Sequence, residues 1–147
     1  TPVAIGKGVI LYCVNELVSP EDLNEFLMDM RFAGVMDPLE EKLIDAGSAL
    51  SGSGPAFVYM FIEALADGAV ACGIPRAKAL EYAAATVIGA GEMVLATGQH
   101  PGALKDAVCS PGGSTIAGLR ALEQHAFRAA VMDCVIAAYN RNKELGK

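Results

Sequence analysis

The stretch from Ala56 to Gly73 constrains this chain more than any other, because its only charged residues are Glu63 and Asp67. Four residues apart, those two acids share one narrow stripe of a helix, and the rest of its surface is apolar or small. A helix apolar nearly all round has to be covered on most sides. Its length would suit a membrane, but two carboxylates near its middle are costly in lipid, so a core helix of a soluble assembly is favoured over a span. Gly73-Ile74-Pro75 breaks this helix. A second helix is expected from Arg76 to Thr97, without a charge between Ala83 and Gly91, where alanines, Gly89 and Gly91 would let another helix approach closely. At 53% hydrophobic and 19% charged residues, with no tryptophan, the 147-residue chain is greasy for a small monomer. Surface buried against a partner is therefore expected, with Ala69 on the outward apolar face of the first helix.

The first fifty residues have another character. They hold nine acids and three bases, whereas residues 51–147 hold eight of each, so the net charge of −6 arises in the first third. Thr1 to Val14 alternates apolar residues around Gly6-Lys7-Gly8, which reads as strand–turn–strand or as one bent strand. Ser19-Pro20-Glu21-Asp22 opens a helix, with a capping serine, a proline in the first turn and acids at the positive end. Leu23, Phe26, Leu27 and Met30 form its apolar face, and Gly34 is expected to end it. Val35 to Glu40 reads as extended and Glu41 to Leu50 as a short helix, a strand–helix–strand pattern typical of α/β domains. After residue 50 the sequence predicts only helices, the last from about Ala126 to Leu145 with Val131, Val135, Ile136 and Tyr139 on one face. The fold class is thus mainly α, a helical domain preceded by a short α/β portion.

The most distinctive polar stretch is Val108-Cys109-Ser110-Pro111-Gly112-Gly113-Ser114-Thr115-Ile116, between a short helix near Pro101–Ala107 and a helix beyond it. Proline restricts the backbone, two glycines let it turn sharply, and two hydroxyls stand where the next helix opens. A helix start presents unpaired N–H groups and the positive end of a dipole, a seat for a small anion such as a carboxylate. A plain turn with a serine or threonine N-cap fits the same spacing.

Other chemistry is thin. Ser51-Gly52-Ser53-Gly54-Pro55 fails as a dinucleotide fingerprint because Phe57 stands where the third glycine belongs, and no Lys-Ser or Lys-Thr pair follows for a P-loop. Its plain reading is a domain joint with Pro55 in the first turn of a helix. Cys13, Cys72, Cys109 and Cys134 form no Cys-x-x-Cys pair, and only His100 and His125 could join them, so no metal site is expected. Scattered cysteines suit thiols in a reducing cytoplasm. No basic patch recommends nucleic acid as a partner. His100 reads as a loop residue, Cys109 as packing and Glu41 as part of a solvated acidic run. With no acid–base set in view, the chain suits a reaction whose chemistry a cofactor carries.

Two motifs together are specific. Leu50-Ser51-Gly52-Ser53-Gly54-Pro55-Ala56-Phe57 is followed by Gln99-His100-Pro101-Gly102-Ala103-Leu104-Lys105-Asp106, which runs into the Val108–Ile116 stretch. In that order, and with Thr1-Pro2-Val3 and Leu43-Ile44-Asp45-Ala46, they resemble pyrroline-5-carboxylate reductase over the whole chain. The resemblance implies an NADPH-binding Rossmann domain followed by a helical dimerisation domain, and reduction of 1-pyrroline-5-carboxylate to L-proline, the last step of proline biosynthesis. It implies that residues 1–50 are the tail of the Rossmann domain and 51–147 the helical domain, with the main cofactor site before Thr1. A chain that opens on Thr1 then reads as a fragment or processed product, inactive by itself.

By the same resemblance, the backbone of Val108, Gly112, Gly113 and Ser114 and the hydroxyl of Ser110 bind substrate. Thr115 is the catalytic residue, its hydroxyl facing the ring nitrogen, and Glu41 falls where some members place an acid near the substrate. Ser53 and Pro55 lie toward the nicotinamide, and Ala107 replaces an asparagine near the cofactor, so any contact there is through the backbone. Gly98 stands where some relatives have an acid, which removes a polar role at that position. NADPH is the expected cofactor, with NADH the alternative. The partners implied are a small-molecule substrate and a second copy in an obligate homodimer, with a higher oligomer of dimers as a further option, and neither nucleic acid nor membrane. Two alternatives remain: the helical domain of another NAD(P)-dependent hydroxy-acid oxidoreductase, with Lys105 the only base near the turn, or a dimerisation module alone.

Overall fold

The computed structural model describes residues 1–146. It is mainly helical, with one two-stranded sheet among the described residues. The chain divides into two compact units, residues 1–57 with 132–147, and residues 58–131.

The first unit is built on a strand–helix–strand motif. Strand β1 (Gly8–Tyr12) and strand β2 (Gly34–Pro38) pair in parallel, from Gly8 against Gly34 to Tyr12 against Pro38. Helix α1 (Pro20–Met30) makes the crossover that parallel strands require. Its start follows the capping logic of the sequence: Ser19 Oγ accepts the Asp22 N–H at 3.1 Å and donates to the Asp22 carboxylate at 2.7 Å. Phe26 of this helix meets Tyr12 of β1 edge-on, with ring centroids 6.4 Å apart. Helix α2 (Glu41–Ser51) lies on β1, where a Cβ at Gly47 would run into Leu11, and it buries Ala49 completely. Near the end of helix α7 (Phe127–Leu145), Asn142 Nδ2 donates to the Asp45 carbonyl of α2 at 3.2 Å.

Two expectations are corrected in this unit. The segment before Gly6 is a 3₁₀ turn, Pro2–Ile5, rather than a strand. Proline fits the first turn, and Gly6, at φ 69°, closes it with its N–H on the Val3 carbonyl. Gly34 does not end α1, which stops at Met30. It opens β2 at φ 137°, because a Cβ there would overlap the Gly8 backbone.

The second unit holds most of helix α3 (Gly54–Ala71), all of helix α4 (Arg76–Thr97), helix α5 (Pro101–Ala107), helix α6 (Ser114–Gln124) and the start of α7. Its core is made of small residues: Ala66 of α3 against Ala79 and Ala83 of α4, flanked by Ile62, Ala69 and Val70. Arg76 at the start of α4 pairs with Asp67 of α3, which engages one of the two acids of that helix. Phe61 and Phe127 stack at 5.7 Å, fastening α3 to α7.

Ala69 therefore packs inside the chain rather than on an outward face. The outward face of α3 carries Tyr59 and Met60 instead, the latter 74% exposed. Gly89 and Gly91 lie on an open side of α4, where a Cβ on either would meet nothing within 4 Å in this chain. Val131 and Ile136 of α7 are likewise open. Among the described residues, the buried hydrophobic core consists of four alanines, Ala49, Ala66, Ala79 and Ala83, and no large side chain is fully buried. By length and composition alone, 41–71 and α4 are long and apolar enough to cross a membrane.

The corner between α6 and α7 holds the one non-glycine residue at positive φ among those described, Ala126 at 55°. A left-handed alanine costs about 1 kcal/mol that glycine avoids. The Arg128–Glu123 ion pair, at 2.6 Å, spans this corner. Ala126→Gly is expected to raise the melting temperature by about 2–4 °C, measured by circular dichroism; an unchanged or lower value would show that the corner carries no strain.

Candidate functional site

The stretch singled out in the sequence folds as a tight turn at the mouth of α6. Ser110 to Gly113 closes with the Gly113 N–H on the Ser110 carbonyl at 3.0 Å, and Gly112 sits at φ 68°. Proline followed by glycine at positive φ is the signature of a type II turn. Gly113 is then the N-cap of α6, and no side chain caps that helix. The N–H groups of Ser114, Thr115 and Ile116 thus lack intrahelical acceptors and face solvent. The plain turn with a serine or threonine cap is not what forms: Ser114 and Thr115 are the first two residues of the helix itself. Among the described residues, nothing engages the Thr115 hydroxyl. A Cβ on Gly113 would come against Ser110 Oγ, which would have to turn away, whereas the positive φ falls on Gly112.

Helix α5 delivers the chain to this turn and is tied at both ends. At its start His100 is the N-cap, with Nδ1 accepting the Gly102 N–H at 3.0 Å. At its end Val108 N–H reaches the Lys105 carbonyl at 3.3 Å, Cys109 N–H the Asp106 carbonyl at 3.0 Å, and Cys109 Sγ the Lys105 carbonyl at 3.1 Å. Cys109 is therefore a half-buried fastener of the helix end. The hydrogen bond that Lys105 Nζ donates to the Asp106 carboxylate holds the ammonium above its ordinary range, against a smaller opposing effect of desolvation. A lysine serving as acid–base needs the opposite shift. Gly98 caps α4 at φ 63°, with its N–H on the Val94 carbonyl, so a left-handed backbone occupies the position where an acid was considered.

The remaining candidates fall elsewhere. Ala107, Val108, Ser110, Gly112, Gly113, Ser114 and Thr115 are contiguous in the second unit, and Ala107 is the last residue of α5. Glu41, Ser53 and Pro55 belong to the first unit. Glu41 opens α2 and lines a cleft of ≈ 660 Å³ with Tyr12, Cys13, Val14, Asn15, Pro38, Leu39 and Glu40. This cleft sits at the carboxyl ends of two parallel strands, where open α/β sheets place ligands. The sequence reading passed over Tyr12, Cys13 and Asn15; the signal available was their position just after the apolar run of β1. Ser53 and Pro55 lie where α2 passes into α3.

The Ser51–Gly54 stretch does not cradle a phosphate. Gly52 is right-handed helical, and the N–H groups of Gly52 and Ser53 are both taken by the Ser48 carbonyl, at 2.8 and 3.4 Å. The turn before α6 suits a carboxylate rather than a dinucleotide. The residues present therefore do not by themselves build a dinucleotide site. Among those described, no three His, Cys, Asp or Glu side chains gather to hold a metal ion.

A strand–helix–strand unit joined in sequence to alanine-rich helices is the class of protein this fold defines. Residues 41–145 match the family described as pyrroline-5-carboxylate reductase dimerisation, and the chain belongs to that family. It is 46% identical to pyrroline-5-carboxylate reductase of Escherichia coli (strain K12) over all 147 residues, which cover 55% of that protein. It is 53% identical over 129 residues, 88% of the chain, to the enzyme of the same name from Methanosarcina acetivorans, of which they cover 48%. The fold is similar to a crystal structure of Plasmodium falciparum pyrroline carboxylate reductase with NADP bound, at a TM-score of 0.93 and 37% identity, covering 99% of this chain and 59% of that one. The chain thus spans about half the length of the relatives it matches.

Proposed function

We propose that this chain is the substrate-binding and dimer-forming part of a cytoplasmic enzyme that reduces 1-pyrroline-5-carboxylate to L-proline, the last step of proline biosynthesis. NADPH is the hydride donor in this reading, with NADH the alternative. Residues 1–50 are taken as the tail of its Rossmann domain and 51–147 as the helical domain. The observation that carries the reading is the turn before α6, with three helix N–H groups free to take a carboxylate and a threonine hydroxyl beside them. A protonated cyclic imine is already electrophilic at carbon, so a hydride adds without a covalent protein step, and the imine becomes the secondary amine. The protein has to fix the ring and orient its nitrogen. The N–H groups of Ser114 to Ile116, reached past Gly112 and Gly113, hold the ring carboxylate. The Thr115 hydroxyl meets the ring nitrogen, and Val108 and Ser110 border the same loop. Glu41 is the acid that the resemblance assigns to the substrate. The Ser53 hydroxyl, the Pro55 ring and the Ala107 backbone are the groups of this chain left for a nicotinamide to approach. The state of Lys105 speaks against the hydroxy-acid alternative, which needs a base there.

The partner in this reading is a second copy. The apolar side chains left open on α3 and α4, among them Met60 and Ile88, supply the surface for that contact. The helices of two subunits interleave, and the Pro111–Gly113 loop of one completes the cofactor-bound site of the other, which links folding, assembly and activity.

Thr115→Ala in the full-length enzyme is expected to lower kcat about 10- to 100-fold with secondary structure unchanged, the worth of one orienting hydrogen bond, roughly 1–3 kcal/mol. Steady-state reduction of the imine measures it. Unchanged kcat and KM would remove Thr115 from the reaction and return the turn to a structural role.

A further inference from the structure

Helix α3 carries two acids, Glu63 and Asp67, on an otherwise apolar surface, and the fold of one chain accounts for only one of them. Asp67 pairs with Arg76 at the start of α4. Glu63, one turn earlier, has no ion pair or hydrogen bond to a side chain among the described residues. It is exposed, and helical spacing sets it beside Tyr59 and Met60, which stand four and three residues before it. This is the side of α3 turned away from the Ala66, Ala79 and Ala83 core.

The rest of the second unit settles most of its charges internally. Lys78 pairs with Glu81, Lys105 with Asp106, and Arg128 with Glu123. Among the described residues of 58–131, that leaves Glu63, Glu92 of α4 and Arg120 of α6 without an ion pair. Arg120 is thus the base in excess: Glu123, three residues further along α6, is held by Arg128. Arg120 is exposed, one turn beyond Ile116, an apolar side chain that is also open. An interface that covers Tyr59 and Met60 takes Glu63 out of water with them, and a covered carboxylate needs a counter-charge. Of the two acids, Glu63 lies in the middle of its helix, whereas Glu92 is near the end of α4, where a side chain reaches water past the helix terminus.

We propose that Arg120 pairs with Glu63 of the partner subunit. In a two-fold dimer the contact is made twice, once in each direction. The pair fixes the register of α6 on the apolar side of α3 and selects a second copy of this chain over other apolar helices, since complementary charge gives an interface its specificity. This inference rests on the homodimer assigned above and adds the residues that determine it.

The test is charge reversal, read by sedimentation at decreasing protein concentration. Arg120→Glu and Glu63→Arg, each alone, set like charges against each other twice, and the dimer dissociation constant should rise by about ten-fold or more. Co-expressed with different tags, the two variants should form a heterodimer of near-native affinity, because each contact then joins an acid to a base. Combining both reversals in one chain would rebuild a pair inside the chain or between chains, so the heterodimer is the deciding result. Its absence would overturn the proposal, as would a heterodimer that forms with Glu92→Arg in place of Glu63→Arg. A native protein that is monomeric would overturn the dimer and the pair together. A native dimer that tolerates both reversals would overturn the pair alone.

Discussion

Replacing Met60 by glutamate is expected to break the protein into monomers. Met60 is 74% exposed on α3, beside Tyr59 at 55%, while the inward side of the same helix is sealed by Ala66 on Ala79 and Ala83. If the outward side is the dimer interface, an unpaired carboxylate there costs about 3–5 kcal/mol, and a two-fold interface receives it twice. The dimer dissociation constant should therefore rise by a hundred-fold or more, since each ~1.4 kcal/mol is ten-fold. Ile88→Glu on α4, a position 60% exposed, should act the same way. Sedimentation at decreasing protein concentration reads the result. A native protein that is already a well-folded monomer at micromolar concentration, or variants that dimerise as the native chain does, would refute the assembly. Ala69→Glu would be an ambiguous probe, because Ala69 packs within the chain and its replacement would disturb folding directly.

Gly113→Val should abolish imine reduction in the full-length enzyme with the helices intact. Its Cβ would come against Ser110 Oγ, displacing that hydroxyl, and the two branched methyls would stand beside the first N–H groups of α6. A displacement near 1 Å at a positioning group costs on the order of 100-fold in rate, and the branched side chain also obstructs the approach of a ligand. Gly113→Ala should move in the same direction by less. Circular dichroism and sedimentation serve as controls for fold and assembly. Full activity in Gly113→Val would show that no substrate group reaches this backbone.

Local chemistry made most of the helices legible. Ser19-Pro20 placed the start of α1 by capping, Gly73-Ile74-Pro75 separated α3 from α4, and the bounds of α4 and α5 coincide with the expected Arg76–Thr97 and Pro101–Ala107. Alternation misled at Thr1–Val14: period two marks which residues could line a sheet, but a strand needs a neighbour, and Pro2 with Gly6 favours a 3₁₀ turn. Gly34 misled too, because a glycine after a helix reads as a terminator when nothing shows that another backbone lies against it.

The candidate site divides the same way. The Pro-Gly-Gly pattern was enough to expect a turn, which follows from dihedral freedom within four residues, while an anion seat and a plain capped turn both fitted it. Whether Ser114 or Thr115 would cap the helix and close that seat was not legible, because it depends on where α6 begins, and α6 begins with them. The His100 cap was hidden for a related reason: its role depends on a ring rotamer and on Pro101 taking the first helical position.

By itself, the sequence determined where most of the helices run, that α3 needs cover on nearly every side, and that the chain turns sharply at Ser110–Gly113, because these are properties of short segments and their immediate neighbours. Only the tertiary structure decided which side of α3 that cover comes from. Ala66, Ala79 and Ala83 bring α3 and α4 together on one side, and Tyr59, Met60, Ile88, Gly89 and Gly91 are left outside. Composition is nearly uniform around these helices, so only the packing of one against the other distinguishes an inner face from an outer one.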